Sequence, residues 1–319
     1  MISRARASPD RPADGVASPG CGPSFGAVAF GLRWASDVPL APFAEAPPGE
    51  PADVTIRRVT ALAPREPVVT IANAILCSDG VRFAMDDGVT VDIYPPDRID
   101  WIAGPDWRGR FQPQFFGTLT ALLLAWRGSV PIHGTAIEID GKAWLICGTS
   151  GAGKSTLAAA LVASGAARLI SDDLSVLAMT GDATPSLYAG RPGMRLFPLV
   201  ARLMEQAGAG TARCEPGNDK LIIAPPRVPP LSPIPLAAVI LLGESETSLP
   251  WQKEVLLREH RFRPRWMDAI PGHEARDRII RLLAATLPML FVPTADIRDS
   301  AAFMLRASTI LERIRLLES

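Results

Sequence analysis

From residue 53 to about 110 the apolar positions fall in short runs rich in β-branched residues: VTIRRV at 54–59, VVTIANAIL at 68–76, VRFAM at 81–85 and VTVDIY at 89–94. Runs of this length predict strands, and Asp86-Asp87-Gly88 between the last two predicts a tight hairpin. Residues 112–127 change to a helical pattern, with Gly128 as its stop. Beyond 130, TAIEI at 135–139, Asp140-Gly141 and KAWLIC at 142–147 read as a hairpin feeding a buried strand. A glycine-rich loop at 148–153 comes next, then an Ala/Leu-rich helix to about Ser164 closed by Gly165. ARLIS at 167–171 is the next strand, ending at Asp172-Asp173. Strand, loop, helix, strand is a βαβ unit, which predicts parallel pairing. Later come a Pro-rich loop at 225–235, a buried strand LAAVILLG at 236–243 and helices at about 273–287 and 299–317. The last carries Phe303, Ala307, Ile310, Leu311, Ile314 and Leu317 on one stripe, read as core packing.

Composition adds boundaries and exclusions. The 319 residues are 48% hydrophobic and 21% charged, an ordinary globular balance. Residues 1–24, rich in Pro, Gly, Ser, Ala and Arg, read as a disordered arm, and the Pro-rich stretch 39–53 as extended chain. The pattern divides the chain into that arm, a β-rich N-terminal domain at 25–128 ending in a helix, and an α/β domain at 129–319. Lys+Arg and Asp+Glu are both 33, so no overall basic field draws the chain to nucleic acid. The four cysteines have no metal or disulfide spacing. Cys147, in an apolar run, reads as a small buried hydrophobe. The N-terminus has no apolar signal region, and the longest apolar stretches, 115–126 and 282–292, fall short of the ~20 residues of a spanning helix. The expectation is a cytoplasmic protein without membrane insertion.

GTSGAGKST at 148–156 satisfies the full phosphate-loop pattern. Gly148, Gly151 and Gly153 permit close backbone approach to phosphate oxygens, with Thr149, Ser150 and Ala152 completing a nest of N–H groups. The helix starting near Lys154 adds its positive end. Lys154 is suited to the β- and γ-phosphates of ATP and Ser155 to Mg²⁺, with Thr156 as helix-start filler. Asp172 and Asp173 end the next strand, where ligands of parallel sheets collect. One carboxylate can serve the metal while the other serves the acceptor. His133 lies just ahead of the hairpin, whereas His260 and His273 read as structural.

Segment 131–177, with His133-Gly134, the phosphate loop and the strand ending in Asp172-Asp173, resembles the catalytic core of the HPr kinase/phosphorylase family. It is more similar to the broader HPr-kinase-related group, which includes kinases of peptide natural products such as lasso peptide precursors. Weaker likeness runs through 188–198, Lys220, 233–243 and 276–300, covering about 130–319. The resemblance implies a P-loop core with a parallel or mixed sheet, preceded by a small β-rich domain. It implies ATP and Mg²⁺ as cofactors, Asp172 as general base towards a serine hydroxyl, Asp173 beside the metal with Ser155, and His133 beside Asp172. It implies a protein or peptide acceptor and a homo-oligomer. The Glu-x-Arg-Gly signature of the bifunctional enzymes is missing around Gly190-Arg191-Pro192-Gly193, which argues against phosphorylase activity and against HPr itself as the acceptor. Arg191, Arg195 and Lys220 are open choices for a phosphate or acceptor clamp. The alternatives are a P-loop ATPase or regulatory module without transfer to a protein, and a kinase for a small hydroxyl compound.

Overall fold

The β-branched runs of the N-terminal part form one mixed sheet in the computed structural model, which describes residues 25–46, 51–181, 183–214, 219–224 and 232–318. The arm at 1–24, part of the Pro-rich stretch at 39–53 and most of the loop at 225–235 lie outside the described residues. The strands are β1 (Phe25–Ala29), β2 (Leu32–Ser36), β3 (Ala44–Glu45), β4 (Val54–Arg58), β5 (Val69–Ile71), β6 (Ala74–Cys77), β7 (Gly80–Ala84), β8 (Thr90–Tyr94) and β9 (Arg98–Ile102). Their spatial order is β3-β1-β2-β4-β9-β8-β7-β6-β5. β7 and β8 pair across Asp86-Asp87-Gly88 as the pattern predicts. The run at 68–76 is two strands rather than one, folding back through Ala72-Asn73, with Ala72 at φ 51°. Asn is a turn former, and here its amide donates to Ala84 O at 2.7 Å.

The inner face of this sheet buries Trp34, Ile56, Val91, Ile99 and Trp101 against a π-helical turn at Phe115–Leu119 that runs into α1 (Thr120–Trp126). Each fully buried large side chain contributes about 1.5–3 kcal/mol. The same core takes in Leu174, Val176, Phe262, Trp266, Met267 and Ile270, so the sheet packs on segments from beyond the boundary at 128. An aromatic ladder fixes the entry to α1: Trp107 lies 4.7 Å from Trp101, Phe111 lies 5.1 Å from Trp101, and Phe111 stacks on Phe115 at 4.1 Å.

The second sheet begins with β10 (Val130–His133), β11 (Thr135–Ile139) and β12 (Lys142–Gly148), the last two joined by the Asp140-Gly141 turn. α2 (Lys154–Ala163) and β13 (Arg168–Ser171) come next. The parallel pairing expected of β12 and β13 is not made. β11 lies between them, antiparallel to both. The two strands keep a common direction, but the two-residue turn places β11 on the edge of β12 at the least loop-closure cost. β14 (Leu174–Met179) and β15 (Pro185–Leu187) extend the sheet. β16 (Met194–Leu196), β17 (Thr211–Cys214) and β18 (Leu221–Ala224) form a separate antiparallel sheet in the order β16-β18-β17, with α3 (Pro198–Gln206) between the first two in sequence. β19 (Ile234–Leu242) returns to pair parallel with β12, and β20 (Met289–Val292) pairs parallel with the end of β19. The C-terminal ends of β12, β19 and β20 point the same way, and β13 runs with them.

Helices cover both faces of this sheet. α2, α3 and α7 (Ser300–Glu318) contribute to one buried cluster, while α4 (Pro250–Glu259) and α6 (His273–Thr286) contribute to the other. On α7, Phe303, Ala307, Ile310 and Ile314 are buried as their stripe predicts, while Leu317 is exposed. No helix among the described residues is long and apolar enough to cross a membrane.

Arg276 on α6 ties these layers together. It is buried, and its guanidinium donates to Ala125 O on α1, to Met267 O on α5 (Pro264–Ala269), and to Ile270 O and Pro271 O beyond it, at 2.6–3.2 Å. Removing it leaves four carbonyls short of a donor. Arg276→Met is therefore expected to cost about 3–5 kcal/mol, read as a fall in the urea midpoint. A midpoint shift no larger than that of an exposed Arg→Met control would show that water replaces the guanidinium.

Candidate active site

β12 ends at Gly148, where φ is 153° and a β-carbon would lie 2.8 Å from Leu242 O of the neighbouring β19. Only glycine lets the chain leave the sheet this close to its neighbour. The loop turns again at Gly153, with φ 95°, and α2 starts there with no side-chain cap on its first N–H groups. A β-carbon on Gly151 or Gly153 would meet no atom within 4 Å, so the loop faces open space rather than packed protein. Uncapped N–H groups at a helix start, with room in front of them, suit a phosphate.

The space in front is a cavity of about 840 Å³. Of the expected loop residues, Ser150, Gly151, Ala152, Gly153, Lys154, Ser155 and Thr156 line it, while Gly148 and Thr149 are not among its lining. Lys154 is 8% exposed, and its Nζ donates to Gly148 O at 2.9 Å and Thr149 O at 3.1 Å. Burial pulls its pKa down, partly opposed by Cys147, Asp173 and Asp172. Cys147 itself is fully buried in β12, and that burial pushes its thiol up to about 12, which leaves it inert.

The two carboxylates have different surroundings. Asp172 is 3% exposed. Its Oδ1 accepts from Ser155 Oγ and Thr135 Oγ1, both at 2.8 Å, and its Oδ2 accepts from Arg195 N at 2.9 Å. Asp173 adopts φ 70°, which swings its side chain away from that enclosure. The side chain is 39% exposed, with Oδ1 3.3 Å from His133 Nδ1 and Oδ2 3.7 Å from an Arg191 nitrogen. The resemblance placed His133 beside Asp172, and this is corrected: its ring faces Asp173. The positive φ at Asp173, invisible in an Asp-Asp pair, decides which carboxylate meets the histidine.

His133 Nδ1 faces two oxygens of Asp173, the carboxylate and the backbone carbonyl at 3.2 Å, so this nitrogen carries the ring proton. Its backbone N–H is fixed by His260 O at 2.8 Å. Burial pushes the Asp173 carboxyl up, but the His133 hydrogen bond and the Arg191 charge outweigh it and hold it down at about 2. A depressed carboxylate contributes stability above its unfolded pKa of about 3.9 and loses it as pH falls towards the folded value. The difference in melting temperature between the wild type and Asp173→Asn should therefore be constant above about pH 5 and shrink between about 4 and 2. A difference that grows in acid would contradict the assigned pairing.

Of the histidines read as structural, His260 is buried, and burial lowers its pKa to about 4, so it is neutral near pH 7. His273 starts α6 on the surface. Arg195 and Lys220 also line the cavity, and the Lys220 Nζ sits 4.9 Å over the Phe197 ring. Thr135, Phe197, residues 294–297 and Arg306 line the site without having been singled out by sequence. Thr135 had a signal, since it stands two residues after His133 at a strand start. The others come from loops and helix ends with no motif. Among the described residues no group of three or more His, Cys, Asp or Glu gathers to hold a metal by itself. Ser155 Oγ with a carboxylate offers the hard oxygen donors that Mg²⁺ takes alongside substrate phosphates.

No protein-family model and no curated protein matches this chain. Among solved structures it is similar to the Hpr(Ser) kinase/phosphatase from Coxiella burnetii, at 15% identity and a TM-score of 0.30, over 58% of this chain and 97% of that one.

Proposed function

We propose that the chain is an ATP-dependent kinase that transfers the γ-phosphoryl group to a serine-type hydroxyl of a protein or peptide. The observation that carries this reading is the division of labour between adjacent carboxylates at one cavity mouth. Asp172 is locked onto the phosphate-loop serine, and Asp173 stands open towards the far side with His133 and Arg191 beside it. The loop N–H groups and Lys154 would bind the triphosphate. Ser155 and Asp172 would hold the accompanying Mg²⁺, which neutralises charge on the β- and γ-phosphate oxygens. This assigns the metal side to Asp172 and the acceptor side to Asp173, the reverse of what the resemblance implied.

In this reading Asp173, ionised at neutral pH, accepts a hydrogen bond from the acceptor hydroxyl and aims its oxygen at the γ-phosphorus. The O–H proton passes to Asp173 Oδ as the new P–O bond forms and the bond to the leaving phosphate oxygen breaks. A carboxylate held near pKa 2 is a weak base, but a loose phosphoryl transition state needs its proton removed late, so positioning matters more than basicity. His133 Nδ1–H holds the carboxylate in place, and Arg191 adds positive charge near the entering group. The test is label transfer from γ-labelled ATP to serine peptides, with Mg²⁺ present or chelated. Labelled peptide only with Mg²⁺ is the expected result. Label appearing solely as free phosphate would make the chain an ATPase and overturn the reading.

A further inference from the structure

The segment 191–195 lies between the nucleotide cavity and a second groove of about 630 Å³. Arg195 lines both, and Arg191, which reaches Asp173, lines the second. We propose, resting on the kinase reading above, that this second groove docks an acidic peptide segment of the acceptor beside the serine presented to Asp173.

Strand register builds the floor of the groove. Arg195 on β16 and Arg213 on β17 both stand opposite Ile222 on β18, so the three side chains share one face of the small sheet. Their neighbours Met194, Ile223 and Ala212 face the other way, into the core under α2 and α3. The opposite wall is the segment 108–116, carrying Arg108, Arg110, Phe111 and Phe116 and pinned by the Trp101–Phe111–Phe115 ladder.

Charge identifies the occupant. Among the described residues five arginines line the groove, at 108, 110, 191, 195 and 213, against one acid, Asp87. Arg191 is buried and turned to Asp173, and Arg108 lies 3.9 Å from the exposed Asp106, which leaves Arg110, Arg195 and Arg213 as the main basic groups of the groove. Asp87 already accepts from Val89 N at 3.1 Å within its own hairpin. The groove is thus a local basic surface on a chain of zero net charge. The guanidinium groups come from three separate segments. Carboxylates spaced along an extended chain at about 3.3 Å per residue suit such a spread better than one small acid does, while the more exposed Pro42, Pro113 and Ile222 take the apolar parts of the peptide. Arginine favours such carboxylate pairs through its planar fork.

Two measurements on the full chain test this separately from the kinase reading. The first uses Cys214, a free exposed thiol next to Arg213 at the end of β17, on the rim of the groove, in a Cys21→Ser background where the other cysteines, Cys77 and Cys147, are buried. Hexaglutamate should slow alkylation of Cys214 at concentrations about tenfold lower than hexaglutamine needs, and lower than free glutamate needs at equal carboxylate. The second is transfer to a degenerate library of nonapeptides with a central serine. Products should be enriched in Asp and Glu, and the Arg110→Glu, Arg213→Glu double variant should turn that preference towards Lys and Arg, which a merely unfolded groove would not do. Equal protection by hexaglutamine or by free glutamate overturns the proposal, as does a product set without acidic enrichment. Protection without any transfer leaves the groove standing and removes the kinase reading, whereas transfer with neither protection nor acidic preference does the opposite.

Discussion

Asp173→Asn is expected to lower phosphoryl transfer by about 10²–10⁴-fold while leaving MgATP affinity nearly unchanged. The substitution keeps the size of the side chain and one acceptor oxygen but removes the charge and the basicity. Asp173 is held by His133 and Arg191 rather than by the phosphate loop, so nucleotide binding has little reason to change. Asp172→Asn is the contrasting case. Asp172 accepts from Ser155, Thr135 and the Arg195 backbone, so Asn keeps the Arg195 bond only by turning its NH₂ towards the two hydroxyls, which must then accept, and it brings no negative charge to the metal side. MgATP affinity and transfer should then fall together. Titrating MgATP against both variants, with single-turnover transfer in parallel, separates them. If Asp172→Asn kept full MgATP affinity while losing transfer, and Asp173→Asn transferred normally, the roles implied by the family resemblance would be restored.

That exchange of roles marks where the sequence stops being informative. The strand, glycine loop and helix of 142–163 are legible because the backbone itself constrains the residues: Gly148 must pass within contact distance of Leu242 O, and Gly153 must take positive φ. The Asp-Asp pair is legible as a pair, but its split rests on one backbone dihedral at Asp173. Strand existence likewise follows from pattern, and pairing does not: nothing in ARLIS says that β11 will stand between it and β12. β1 and β2 lie in a run where glycine and apolar residues interrupt any alternation, so period 2 is weak there. α3, α4 and α5 are short, and their signal is a different one, proline at the start of each in Pro198, Pro250 and Pro264. The apolar stretch 282–292 hides a boundary for the same reason, since Pro288 separates the end of α6 from β20. The basic groove gathers residues from distant segments and has no linear signature.

Lys154→Ala should impair both binding and chemistry, with kcat down about 10²–10³-fold, the usual cost of deleting one preorganised donor to a transferring phosphoryl group. The side chain is enclosed, its Nζ resting on the Gly148 and Thr149 carbonyls of the loop it closes. The charge is thus held where β- and γ-phosphates would lie rather than waving in solvent, and little reorganisation is needed during transfer. Losing one buried hydrogen bond to Gly148 O and one part-buried bond to Thr149 O costs about 1–3 kcal/mol of stability, and the melting curve of the variant checks that it stays folded. Lys154→Arg is the sharper probe. It keeps the positive charge but replaces a compact ammonium by a planar fork too broad for the same pair of carbonyls. If charge alone mattered, Arg would restore activity. Should the geometry matter as argued, Arg will recover part of the MgATP affinity and little of kcat. Wild-type transfer by Lys154→Ala in a folded protein would remove the loop from the chemistry altogether.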